Sequence, residues 1–168
     1  MQSLSIDKAS KYFLYFAVAN LIGAVLITIP VIVPEFTFPL VLTVWPGTWI
    51  FIAYFIFLIV AVMGNIAWAA LLDMTKRHFG RSYVNRYMAE AQFSLTTLGV
   101  YGQTSLMFTV GYLGGYAALL GFGKATITQG IIGWMVVPIG VFILLYLIGT
   151  IIGIANLLFT ISGRNDSP

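Results

Sequence analysis

Four long apolar runs, none with a charged side chain away from its ends, constrain this chain more than any other feature. They cover about residues 12–33, 48–72, 91–120 and 131–161. A helix needs about 20 predominantly apolar residues to cross the hydrocarbon core of a bilayer. Each run meets that length, so the expected fold is an all-α integral membrane protein: one domain over 1–168, built as a four-transmembrane-helix bundle. The composition agrees. At 60% hydrophobic and 8% charged, the chain lies far from a soluble domain, where about a quarter of residues are charged. With no cysteine, disulfides, thiolate metal sites and cysteine nucleophiles are excluded together.

The charges gather in the connection 73–90, DMTKRHFGRSYVNRYMAE. It holds Lys76, Arg77, Arg81 and Arg86 and the single histidine, His78. Phe79, Tyr83 and Tyr87 recur every fourth residue, the pattern of a short interfacial helix with its aromatics toward the acyl boundary. Lys76, Arg77, Arg81 and Arg86 are the expected contacts for anionic lipid headgroups. In the four-span arrangement one side carries Lys8, Lys11, Lys76, Arg77, Arg81, Arg86 and Arg164, and the other only Lys124. Basic residues favour the cytoplasmic side. Both termini are therefore expected in the cytoplasm of a cell-membrane protein. The basic residues serve orientation, and binding to nucleic acid is not expected.

The ends of the runs carry punctuation. The first begins after a basic start but is too long for a signal-peptide core and has no small-residue cleavage site. The connection 34–47 contains Pro34, Pro39 and Pro46, which argue against a long helix there. Its Pro46-Gly47 pair marks a turn, flanked by Trp45 and Trp49 as an aromatic belt would be. Gly121 to Gly130 is expected as an outer loop, and Gly163 as a helix stop. No internal repeat is read. Ala19-Asn20-Leu21 recurs as Ala155-Asn156-Leu157, too short a match in so apolar a chain.

Within the runs the informative residues are uncharged. Asn20, Asn65 and Asn156 lie in the first, second and fourth runs, and Gln103 lies in the third, which is rich in Gln, Ser and Thr. A side-chain amide in hydrocarbon seeks partners on neighbouring helices. These four are expected to form an interhelical polar cluster, or to line a pore. Gly111 and Gly115, and Gly149 and Gly153, form two G-x-x-x-G pairs. Each permits close helix approach, within the bundle or against another subunit.

Searches for chemistry return little. His78 with Asp73 and Glu90 matches no metal-ligand spacing. Met63, Met107 and Met135 lie within the runs, but methionine more often fills gaps in packing than binds haem. There is no phosphate-binding loop, nucleophile elbow, zinc-protease motif or dinucleotide fingerprint. No catalytic set and no cofactor is expected.

The opening Lys8-Ala9-Ser10-Lys11-Tyr12-Phe13-Leu14, continuing through Gly23-Ala24, resembles the entry to the first membrane helix of some prokaryotic haem–copper oxidase catalytic subunits. That family holds two haems and a copper through histidines in its spans, and no run here contains a histidine. The resemblance implies a small non-catalytic companion in a respiratory or other electron-transfer complex, with lipid and other membrane subunits as partners. A homo-oligomeric transporter or channel with an uncharged pore is the alternative. A lipid-processing enzyme that uses the Lys76–Arg86 cluster to hold a phosphate headgroup is a third reading.

Overall fold

The computed structural model describes residues 3–33, 39–40 and 45–163. Most of the connection that contains Glu35, and the tail with Arg164, lie outside the described residues. Among the described residues the regular structure is helical apart from two three-residue strands. Strand β1 is Ser3–Ser5 and leads directly into α1, Ile6–Ile32. Helix α2 runs Thr48–Phe79. Strand β2 is Tyr83–Asn85 and leads into α3, Arg86–Leu119. Helix α4 runs Lys124–Ile161. Three segments, Ile6–Ile29, Thr48–Phe79 and Lys124–Ile161, are long and apolar enough to cross a membrane. Helix α3 is as long as the others but more polar, and among the described helices it carries the most buried residues.

The segment 73–90 does not form the separate interfacial helix that its aromatic spacing suggests. Asp73 to Phe79 continues α2, so the basic cluster Lys76, Arg77 and His78 occupies that helix's last turn. Cationic side chains there oppose the partial negative charge of the helix C-terminus. Gly80, at φ 64°, ends the helix in the left-handed conformation, which only glycine adopts without steric cost. The chain then extends through β2, and α3 begins at Arg86. Phe79, Tyr83 and Tyr87 are all exposed, but they belong to a helix end, a strand and a new helix. The expected outer loop is also shorter, because α4 already starts at Lys124. Gly163 is a helix stop as read, at φ 79°.

Strands β1 and β2 pair antiparallel, with Leu4 opposite Val84. The Ile6 amide donates to the Ser82 carbonyl at 2.9 Å. This pairing draws together the starts of α1 and α3 and the ends of α2 and α4. Around it pack Ile6, Ala9, Phe13, Ala69, Leu72, Val84 and Ala89. A second core joins α2, α3 and α4 toward the opposite end, through Ala53, Met107, Val110, Ile127, Ile132, Met135 and Ile139.

The order strand–helix–helix occurs twice. Ser5 and Asn85, the last residues of the two strands, are both helix N-caps. The second helix of each half contains a π-helical stretch, Phe57–Met63 in α2 and Thr128–Ile132 in α4. Each second helix is also followed by a positive-φ glycine, Gly80 and Gly163. This repetition is architectural and leaves no readable trace in the sequence. The recurring Ala-Asn-Leu triplet does not follow it: Asn20 lies in the first helix of one half, and Asn156 in the second helix of the other.

Candidate functional site: a polar node and a pinned strand

The buried amides divide into separate sites. Asn20 is almost wholly buried, at 1% exposure. Its Nδ2 donates to the Ala61 carbonyl at 2.8 Å, and its Oδ1 accepts from the Tyr101 hydroxyl. Asn65 Nδ2 donates to the same Ala61 carbonyl at 2.6 Å. One carbonyl oxygen, with two lone pairs, therefore serves two amides. Ala61 lies in the π-helical stretch Phe57–Met63, where the backbone ladder departs from the regular register; such bulges occur frequently at functional sites. The node joins α1, α2 and α3. Tyr101 was not singled out in the sequence. Its alternation with glycines among polar neighbours gave no signal, and only the fold sets its hydroxyl against Asn20.

Asn156, at 3% exposure, is not part of this node. It lies at the strand-bearing end, where its side-chain amide accepts from the Asn85 N–H at 3.1 Å and donates to the Asn85 carbonyl at 3.2 Å. In the β pairing the bonded partners are Leu4 with Val84, and Ile6 with Ser82, so Asn85 turns its N–H and C=O outward. The Asn156 amide pairs with that edge as the peptide of a third strand would. Asn85 in turn caps α3, its Oδ1 accepting from the Met88 N–H at 3.2 Å. Gln103 is buried on α3 and makes no hydrogen bond to Asn20, Asn65 or Asn156. The expected single cluster is therefore two sites, with Gln103 outside both.

All four predicted packing glycines lie against neighbours within this chain. A Cβ on Gly111 would meet Ile50 at 2.7 Å, and one on Gly115 would meet Leu40 at 3.3 Å. On Gly149 it would come within 2.9 Å of Leu95 and Thr96, and on Gly153 within 2.4 Å of Gln92. Two further close approaches lie outside this motif. At Gly99 a Cβ would sit 2.6 Å from the Tyr146 amide nitrogen, and at Gly102 2.2 Å from the Phe142 ring. These two are three residues apart, outside the G-x-x-x-G spacing, and only the α3–α4 contact brings them out.

The basic residues at the strand-bearing end are largely engaged. Lys76 pairs with Asp7 at 2.6 Å, Arg77 with Asp73 at 2.8 Å and Arg86 with Glu90 at 2.6 Å. The hydrogen bond and charge of Glu90 hold the Arg86 guanidinium above its ordinary range. Arg81 reaches the Ile161 carbonyl at 3.4 Å, a long contact that places a cation at the C-terminus of α4. At the other end Lys124 sits 5.7 Å from the centre of the Trp45 ring.

Among the described residues no group of three or more histidine, aspartate or glutamate side chains is placed to hold a metal. Met63 is 63% exposed, while Met107 and Met135 pack in one apolar cluster. His78 is exposed on the last turn of α2. Beside the polar node, a cavity between Asn65, Trp68, Thr96, Thr97 and Tyr146 measures about 10 Å³, room for one water. Comparison with protein-family models, curated proteins and solved structures finds no match to this chain.

Proposed function

We propose that this chain is a non-catalytic scaffold: a four-span bundle with both termini in the cytoplasm that serves as an accessory subunit of a larger membrane complex. Helix α3 is the fourth span in this reading. At 34 residues it is about 51 Å long, enough to cross the core. Its polarity is consistent with crossing, because Gln92, Thr96, Gln103 and Thr104 are buried among the other helices. The orientation follows from Lys8, Lys11, Lys76, Arg77, Arg81 and Arg86, which share the strand-bearing end, while Lys124 lies at the opposite one.

One observation carries the scaffold reading. Asn20, Asn65 and Tyr101 are bonded into one node around the Ala61 carbonyl, and the space beside it has room for no more than one water. Such a centre locks helices together. A transport route needs polar groups that open onto a passage. The larger complex is suggested by the likeness of the first helix to the oxidase subunits, and by the outer faces of α1 and α4. There Tyr15, Leu26, Ile32, Val137 and Ile151 are each more than 60% exposed. The glycine pairs do not add to this argument, since they are used inside the chain.

The test is purification from native membranes in mild detergent, with mass spectrometry of associated chains and a visible spectrum. Stoichiometric partner chains with haem absorption are expected. A colourless homo-oligomer that supports solute flux in proteoliposomes would overturn the reading in favour of a channel or transporter.

A further inference from the structure

We infer that the groove between α1 and α3 at the strand-bearing end is a binding site for one anionic phospholipid. The inference rests on membrane placement and not on the accessory-subunit reading. The groove has a volume of about 440 Å³, within the range of about 300–1,000 Å³ typical of sites that enclose most of a small ligand. Tyr12, Phe13, Tyr15, Phe16 and Phe93 line it. Its floor is rigid: Phe13 and Phe16 both meet the Phe93 ring edge-on, at 5.5 and 5.0 Å, and Phe13 stacks on Trp68 at 6.4 Å. An acyl chain laid on this surface would cover aromatic area that the protein itself leaves open.

Charge decides the headgroup. The three described carboxylates at the strand-bearing end are each paired with a cation: Asp7 with Lys76, Asp73 with Arg77 and Glu90 with Arg86. Glu90 lines the groove, and its negative charge is offset by Arg86 at 2.6 Å. Lys8 and Lys11 have no ion-pair partner among the described residues, and both are exposed. Lys8 lies one helical turn before Tyr12, and Lys11 one turn before Tyr15, so each sits on the same face as a lining aromatic, toward the mouth. An unneutralised pair of ammonium groups therefore flanks an apolar slot at the expected depth of the lipid phosphates. A lysine near an anionic membrane surface strengthens binding about fivefold. Two lysines beside one headgroup would favour one with a net negative charge over a zwitterionic one, whose phosphodiester is already neutralised, by roughly thirtyfold.

Delipidated protein, incubated with equal amounts of phosphatidylglycerol and phosphatidylcholine of identical chains, tests this by native mass spectrometry. The first adduct should be phosphatidylglycerol, in about thirtyfold excess. Lys8→Gln with Lys11→Gln should abolish the excess while leaving the phosphatidylcholine adduct unchanged. Ser94→Trp, at an exposed lining position, should fill the groove and reduce both adducts. Equal adducts in the wild type, or an excess that survives loss of both lysines, would overturn the site. The lysine pair is exposed, so this variant decides the matter even if Ser94→Trp does not fold. The outcome is independent of whether partner chains co-purify.

Discussion

At the residue scale, Asn20 and Asn156 show how a membrane bundle uses amides. Each makes two hydrogen bonds and each is almost fully buried. Measured interhelical hydrogen bonds in membrane proteins average about 0.6 kcal/mol, so each asparagine contributes roughly 1–2 kcal/mol. Asn20→Leu should lower stability in detergent by that amount, read from thermal or denaturant unfolding. Combined with Tyr101→Phe, the loss should be less than the sum of the two single losses, because they share one bond. Asn156→Leu should cost a similar amount but act locally. Hydrogen exchange should speed up at Asn85 and Met88, while α2 stays protected near Ala61. Equal deprotection at both sites would show that the strand pin and the node are one cooperative unit.

At the element scale, the contact between α3 and α4 depends on backbone proximity. Gly99 and Gly153 both face it, but the consequences of adding a methyl group differ. At Gly99 the obstacle is the Tyr146 backbone nitrogen, which cannot yield without moving α4. At Gly153 it is the end of the Gln92 side chain, whose Nε2 is held by no hydrogen bond and which shifts more cheaply than backbone. Gly99→Ala should therefore destabilise by about 1–3 kcal/mol, the usual cost of overpacking, and Gly153→Ala by less. Gly140 lies on the same helix as Gly153 with nothing within 4 Å of a built Cβ. Gly140→Ala should be neutral or slightly stabilising, as expected when glycine is replaced inside an open helix position. Unfolding midpoints of the three variants in one detergent test the ranking.

At the scale of the whole molecule, the two strands gather four helix ends. They leave the basic residues at one end and Lys124 with Trp45 at the other. The absence of cysteine makes the orientation directly testable. A single cysteine at Ser82 should react with a membrane-impermeant thiol reagent only from the cytoplasmic side, and one at Gly123 only from outside. Labelling of both from one side would exclude a single crossing by α3 between them. The exposed ion pairs at the basic end are worth little individually, so Asp7→Asn should leave the unfolding midpoint nearly unchanged.

Hydrophobicity and charge act along the chain, so they could be read without a fold. The apolar runs, the helix-stopping Gly163 and the segregation of lysine and arginine follow from what lipid and water accept. Register and partner choice required tertiary structure. The aromatic spacing of Phe79, Tyr83 and Tyr87 looked helical because periodicity cannot see Gly80 turn left-handed and hand the chain to a strand. The four amides looked like one cluster because sequence places them at similar depth, whereas helix rotation sends Asn156 to Asn85 and Asn20 to Ala61 and Tyr101. The G-x-x-x-G pairs left open whether the close neighbour was another subunit. Helix crossing resolved that within the chain, and it made Gly99 and Gly102, which fit no motif, the tightest approaches to α4. The repeated order of strand, helix and helix also lay beyond the sequence, since short strands are set by backbone pairing across the fold and not by a pattern along the chain.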